Sequence, residues 1–347
     1  MAFSLYDTTT LVGVIRPLAT PGNFLRRLFF GTAAPITFDT PDIKWDRVFE
    51  DRRISPFVSP YSPGKPRQDK GFQTETFTPG YQKPLDRVDP SKFQKRRPGE
   101  QLGGELSLAD RRDLMMVDYM QSHKNQIERR DEVMTAETVL TGKVTMTGED
   151  YPTAIVDYDR APNLTKALTL AARWGEAGVS PVANFEAWLD EGSTAAGAAY
   201  SHGIFDKRAW ALFAADPDFE KKIDTTLGQA NNSVQLGFTP GAPGSPIFKG
   251  RIGTVELYVY NDFYEDVDGT TKWLIPDFTV ILGAPAAYEG TPTYGAILDP
   301  EAGYVPVEWF PKNWISQNPA AEWVMTQTSR LLVPKRVNAT MAVGVRR

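Results

Sequence analysis

Apolar and polar positions follow three different rhythms along this chain, and each rhythm predicts a different kind of element. From residue 108 to residue 141 there is neither proline nor glycine, which predicts one long helix. Ser107 with Asp110 three residues later reads as a capping box at its start, and Gly142 as the left-handed residue that ends it. Such a helix of 34 residues is about 51 Å long, while a compact globule of this chain length is about 52 Å across. Its apolar positions (Leu108, Met115, Met116, Tyr119, Met120, Ile127, Met134, Leu140) form only a sparse stripe. Heptads are not sustained, so a flat or elongated subunit with a helical spine is expected rather than a coiled coil.

Upstream the rhythm is broken by prolines at 56, 60, 63, 66, 79, 84, 90 and 98, which exclude helix over most of residues 46–104. Two strand-like pieces, 54–58 and 72–77, flank a turn-rich tip at 62–66. They predict a long two-stranded excursion, marginal by itself and therefore laid on something. A disordered linker is the alternative, but Phe57, Tyr61, Phe72, Phe77, Tyr81 and Phe93 recur as linkers rarely allow. Residues 1–45 read as an arm whose apolar segment 23–30 docks on its own body or on a neighbour; the alternative is an ordinary core segment.

Beyond Gly142 the period becomes two. Segments 143–148 and 154–158 read as strands. Ser180 and Pro181 begin a helix running through Leu189, with Val182, Phe185, Trp188 and Leu189 on one face. A further helix begins near Asp206 with Trp210 and Phe213 inward, and Asp216-Pro217 restarts a short one to about residue 223. Residues 227–246 form a Gly/Asn/Pro loop. Strands follow at 254–260 and 271–275, joined through Asp268-Gly269, then at 278–282, 322–333 and 337–345. There is no internal repeat.

Composition narrows the function classes. Of 347 residues, 41% are hydrophobic, enough for a substantial core. The net charge of −5 argues against a surface built to grip nucleic acid, although residues 41–104 carry 13 Lys/Arg against 9 Asp/Glu and are locally basic. With no cysteine, disulfides, thiol catalysis and zinc–thiolate sites are impossible. The N-terminus lacks a basic signal region and no stretch is long enough to span a membrane, so a product made in the cytoplasm and free of membrane is expected.

No catalytic, cofactor or metal constellation emerges. Asp266-Val267-Asp268-Gly269 resembles part of a calcium loop, but counting back from Gly269 puts Tyr264 and Ile275 where ligands belong, so a hairpin turn is the better reading. His123 reads as an exposed or helix-packing residue. His202 has no partner histidine or cysteine, and Ser201 beside it lacks the glycines of a nucleophile elbow. The run Lys95-Arg96-Arg97 reads as a solvated loop or a partner for an acidic neighbour more readily than as a nucleic-acid contact. No phosphate-binding glycine loop is present.

Five short words, in order along nearly the whole chain, carry a family resemblance: Phe24-Leu25-Arg26-Arg27-Leu28-Phe29-Phe30, Glu75-Thr76-Phe77-Thr78-Pro79-Gly80-Tyr81-Gln82-Lys83-Pro84, Leu140-Thr141-Gly142-Lys143-Val144-Thr145-Met146-Thr147-Gly148-Glu149, Trp210-Ala211-Leu212-Phe213 and Pro311-Lys312-Asn313-Trp314. Together they resemble the major capsid proteins of lambda-like tailed phages, the major capsid protein E family. The resemblance implies an α+β, Hong Kong 97-type capsid fold with residues 1–45 as N-terminal arm, 46–104 as E-loop, 105–205 and 310–347 as P-domain with the spine helix, and 206–309 as A-domain. It implies a shell of pentamers and hexamers around double-stranded DNA held non-specifically on the inner face. Neighbours would be contacted through Phe24, Leu28, Phe29, Phe57, Pro63, Gly64, Phe77 and Tyr81. With about two dozen residues before the arm word, a separate scaffolding protein is implied; a portal protein belongs to such heads, and a small decoration protein is common in this branch. An encapsulin-type nanocompartment, which shares the fold, and an elongated β-rich enzyme or carbohydrate-binding protein are the competing readings.

Overall fold

The computed structural model describes residues 6, 8–15, 22–31, 33–48, 54–55, 57–61, 63, 72–95, 106–148, 151–219, 245–318 and 320–346. Its longest element is the spine helix, Leu108–Thr141, bounded as the sequence predicts. The Ser107 hydroxyl accepts from the Asp110 amide at 3.1 Å while the Asp110 carboxylate accepts from the Ser107 amide at 3.0 Å, so two otherwise unpaired donors are satisfied reciprocally. At the other end Gly142 turns left-handed (φ 74°) and its amide closes on the Thr138 carbonyl at 2.8 Å. Arg160, buried and without a carboxylate partner in its hydrogen bonds, donates to the Val139 carbonyl at 2.6 Å and to the Leu140 carbonyl. A cation there opposes the negative end of the helix dipole.

Two sheets pack around the spine. In the first, the long strand Ala320–Val333 pairs antiparallel with Phe310–Gln317, Leu85–Val88, Tyr81–Gln82 and Thr291–Tyr294, and Ile36–Thr37 runs parallel to the last of these. The second has the order Ile247–Ile252, Val255–Val259, His202–Phe205, Thr279–Gly283, Thr340–Gly344, Thr165–Ala167. Its strands Thr279–Gly283 and Thr340–Gly344 are buried along almost their whole length rather than at alternate positions, as expected of strands covered on both faces. The helices Pro181–Ala196 and Lys207–Ala214 cover it with aromatic rings: Phe213 lies 4.9 Å from Phe205, and Trp174 stacks on Trp188 at 5.6 Å.

Several expectations need correction. Strand Phe72–Phe77 does not pair with 54–58; its partner is Ile43–Val48, with Ile43 opposite Phe77 and Val48 opposite Phe72. Ile43 is buried and Trp45 packs on Tyr158 at 5.9 Å, whereas Ile54, Phe57 and Val58 are exposed and form no strand. Prolines 56, 60 and 63 withhold the donors a strand there would need. Strand Thr271–Trp273 closes its hairpin with Phe263–Glu265, around Asp266–Thr270 with Gly269 at φ 77°. Val255–Val259 instead turns through Gly253 (φ 58°) onto Ile247–Ile252, a strand the sequence reading passed over. The helix expected to stop at Leu189 continues to Ala196 and is capped by Gly197 (φ 68°); Gly192 inside it lets the Tyr200 ring lie against the backbone. Of the two readings offered for His123, the structure bears out the packed one: its ring is fully buried. The short helix expected after Asp216 and the loop expected over 227–246 fall largely outside the described residues.

The close of the spine yields a paired test. Gly142 and Gly303 both sit at positive φ (74° and 66°), but an added Cβ at Gly142 would stand 2.6 Å from the Arg160 Cβ, while at Gly303 nothing lies within 4 Å. Gly303→Ala should cost about 1 kcal/mol of backbone strain. Gly142→Ala should cost about 3 kcal/mol because Arg160 must also leave the carbonyls it caps. Denaturant unfolding of the two variants measures the difference, and equal costs would show that Arg160 yields freely.

Candidate assembly surfaces

Among the apolar side chains buried along the spine helix stand the ionisable residues Arg112, His123, Lys124, Glu128, Asp131 and Glu132, and each ties the helix to a segment distant in sequence. Arg112 donates to Glu322 on the long strand at 3.1 Å. His123 bridges Thr326 of the same strand (3.1 Å) and Asp86 of strand Leu85–Val88 (3.0 Å). Lys124 donates to the Ile15 carbonyl at the end of the first helix, Thr8–Ile15, at 3.2 Å. Glu128 accepts from Asn23 at 3.1 Å and from Arg26, while Glu132 accepts from the Leu25 and Arg26 amides, each at 2.9 Å, and from the Tyr260 hydroxyl at 2.9 Å. Glu132 thus closes the unpaired amides that open the apolar helix Phe24–Phe30. Asp131 meets Arg330 at 2.6 Å with both side chains 1% exposed, and the Arg330 guanidinium lies 4.1 Å from the Trp309 ring centroid and 5.2 Å from that of Tyr294.

Burial shifts these groups in the expected directions. It pushes the Glu132 carboxyl above the usual range, partly offset by the two amides and the phenol it accepts from. His123 is pushed down by burial, with Asp86 pulling back only in part, so the ring is held neutral. Arg160 is lowered to about 10 by burial.

The residues expected at subunit contacts divide into two groups. Phe29 is 0% exposed, edge-on to Tyr288 at 5.3 Å, and so spends its surface inside its own subunit. Phe24, half-buried, leans on Tyr258 and Tyr260, and Leu28 and Phe77 flank the same core. Tyr81 donates its hydroxyl to the Ala296 carbonyl at 3.0 Å and accepts from the Leu298 amide at 3.1 Å, fastening the base of the excursion. Phe57, by contrast, is fully exposed, as is Tyr61 at 98%; Ile54, Val58 and Pro63 are exposed beside them. Gly64, like Arg96 and Arg97, lies outside the described residues. A second apolar projection went unnoticed in the sequence: Phe263 and Trp273 face each other across their hairpin at 5.7 Å, both about half exposed, with Val267 at the tip. Apolar side chains at alternate positions around Asp-rich turn residues were its only sequence signal.

Among the described residues, the nearest approach to a catalytic arrangement falls short of one. Ser201 does lie 2.8 Å from His202, but through Nδ1, and Glu256 stands 3.6 Å from Nε2. The order is reversed from a nucleophilic triad, in which the acid orients Nδ1 and the hydroxyl faces Nε2. Among the described residues there is no cluster of three His, Cys, Asp or Glu able to hold a metal, and no helix long and apolar enough to cross a membrane.

Comparison with known proteins bears on these surfaces. The family described as phage major capsid protein E matches residues 7–345. The major capsid protein of Enterobacteria phage phi80 is 30% identical over 98% of this chain and 99% of its own. That of Escherichia phage lambda is 29% identical over 95% and 96%. The crystal structure of a putative capsid protein of a prophage from E. coli CFT073 superposes with a TM-score of 0.74 at 23% identity, covering 99% of this chain and 100% of that one.

The Asp131–Arg330 pair gives this network a direct test. Arg330→Met should cost about 3–5 kcal/mol, since it strands a buried carboxylate. Adding Asp131→Asn should recover at least a third of that loss. Urea unfolding of both variants and of Asp131→Asn alone completes the cycle; strictly additive losses would mean the two side chains are not energetically coupled.

Proposed function

The chain belongs to the phage major capsid protein E family, and from that membership we propose how it works as a subunit of a phage head. It is a structural protein of the virion, and copies of it assemble into the capsid shell. The fold is the Hong Kong 97-type capsid fold. Pentamers and hexamers close into an icosahedral shell around packaged double-stranded DNA, held non-specifically by the inner face. A separate scaffolding protein guides closure, and a portal protein and a small decoration protein complete the head.

Within that reading, residues 1–45 are the arm, 46–104 the E-loop, 105–205 and 310–347 the P-domain, and 206–309 the A-domain. Phe57 and Pro63 meet a neighbouring subunit, with Ile54, Val58 and Tyr61 beside them. Phe24, Leu28, Phe77 and Tyr81 position the arm and the base of the loop. The match over residues 7–345 carries the reading. Its physical support is the run of exposed apolar side chains at 54–61, whose burial a monomer does not supply.

Production of the protein with its scaffolding partner should yield uniform hollow particles by negative-stain microscopy. The variant Ile54→Ser/Phe57→Ser/Tyr61→Ser should keep subunit stability within about 0.5 kcal/mol, because these side chains are exposed in the subunit, yet should fail to form stable shells. A monomer or dimer under every condition, scaffold included, contradicts the shell reading; intact shells from the triple variant contradict the role given to the loop.

A further inference from the structure

Two surfaces of the subunit combine exposed apolar groups with charge, and their charges are opposite. The first is a sheet face. Residues paired across neighbouring strands share a face, so Trp314 and Arg87 lie on either side of Trp323, and Leu85 lies beside Met325. The alternate residues turn the other way: Val324 is buried with Met115 and Met116 of the spine helix, and Glu322 meets Arg112 there. The face turned from the spine thus carries two tryptophans, a methionine and a leucine, with Leu85 48% exposed and the other three half-buried. Its exposed cations are Arg87 and Lys83, the latter 4.8 Å from the Tyr81 ring. Lys312, opposite Met325, is already taken up by Asp299 at 3.3 Å.

The second surface is the hairpin Phe263–Trp273. Phe263 opposite Trp273 and Glu265 opposite Thr271 share its outward face, while Tyr264 and Lys272 share the inward one. Tyr264 packs on the core and Lys272 pairs with Asp266. The outward side therefore keeps the Glu265 carboxylate, and Val267 and Asp268 are exposed at the tip. The hairpin is held in place at its base, where the Arg129 guanidinium donates to the Phe263 carbonyl at 3.0 Å and the Leu274 amide to the Asp262 carbonyl at 3.0 Å.

We propose that the hairpin of one copy seats on the sheet face of a neighbouring copy, Phe263 and Trp273 against Trp314, Trp323 and Leu85, with Glu265 and Asp268 meeting Arg87 and Lys83. The proposal rests on the shell reading above and names a contact between copies that does not involve residues 54–61. Charge selects the pairing. Hairpin against hairpin sets carboxylates against carboxylates, and sheet face against sheet face sets cations against cations; like charges so placed disfavour both contacts. Hairpin on sheet face joins opposite charges and covers apolar surface on both sides. The sizes agree: three strands at about 4.8 Å spacing give a face about 10 Å across, and two paired strands of three residues are about 10 Å long. Within one subunit the hairpin is not covered, since Phe263 is 51% and Trp273 55% exposed. The two patches differ, so the contact runs head to tail from copy to copy and makes a ring where the rotation closes.

The absence of native cysteine makes the test clean. Leu85→Cys and Val267→Cys, both at exposed positions, are combined in one chain, assembled with scaffold, and treated with a short bis-maleimide. Covalent multimers on a denaturing gel that require both cysteines, and that vanish when shells are dissociated before treatment, are expected. Shells that form but show no linkage dependent on both cysteines overturn this contact and leave the shell reading standing. Linkage of Leu85→Cys to the scaffolding protein instead overturns it too and gives the sheet face to that partner. Failure of the unsubstituted chain to form any particle overturns the shell reading itself. Should only the double-cysteine variant fail to assemble, a charge exchange decides. Glu265→Arg and Arg87→Glu should each lower the yield of shells about tenfold, and the two together should restore it. Unchanged yield from the single variants, or no recovery when they are combined, refutes the contact.

Discussion

Asp131 and Arg330 face each other with almost no access to water, and a charge in that position is tolerable only when its opposite is held firmly against it. The pair joins the spine helix to the long strand at the centre of the subunit, and the same constraint repeats along the helix. Arg112, Lys124, Glu128 and Glu132 are also buried, as is the neutral ring of His123, and each takes a partner from a segment distant in sequence. An apolar stripe would accept any apolar surface. A row of buried ionisable groups accepts only segments that bring the matching donors and acceptors, so it sets which segment docks and in which register. Two rows of contacts therefore run side by side: Met116, Met120 and Ile127 supply burial, and the charged residues between them supply discrimination.

This arrangement divides the chain into parts that are finished within the subunit and parts that are not. The apolar helix Phe24–Phe30 is finished: its first amides end on Glu132, Arg26 on Glu128, and the Phe29 and Phe30 rings on Tyr288. So is the base of the excursion, tied by Tyr81 and by the Tyr151 hydroxyl, which donates to the Thr78 carbonyl at 3.1 Å. The residues at 54–61 and the hairpin carrying Phe263 and Trp273 are unfinished, with apolar groups in solvent. A two-stranded ribbon, marginal by itself, together with uncovered apolar side chains at 54–61, suits a subunit whose remaining burial comes from its neighbours.

Much of this was legible in the sequence where local chemistry decides structure. The spine was bounded correctly because Ser107, Asp110 and Gly142 are cap residues acting within one turn. The strand Phe72–Phe77 and the turn at Asp268-Gly269 were legible for the same reason, but their partners were not, since pairing is a long-range matter. The short strands His202–Phe205, Thr291–Tyr294 and Thr165–Ala167 escaped notice because strands of three or four residues, buried on both faces or spent at an edge, show no alternation. Pro311 hid the strand Phe310–Gln317. The sparse apolar stripe of the spine pointed to a thinly covered helix, whereas its buried face also takes in ionisable residues, Arg112, His123, Lys124, Glu128, Asp131 and Glu132, that a sequence reading assigns to the surface. Phe29 and Phe57 look alike as aromatic residues in apolar words; only the fold shows one enclosed by Tyr288 and the other in water.

Amide hydrogen exchange, compared between the isolated subunit and the assembled shell, tests the central division most directly. The account predicts that spine amides over residues 115–139 are already strongly protected in the isolated subunit, because the buried charges are paired there. It predicts that protection at residues 57–61 rises at least tenfold only on assembly. A spine that exchanges freely until shells form, or a loop whose protection is the same in both states, would contradict it.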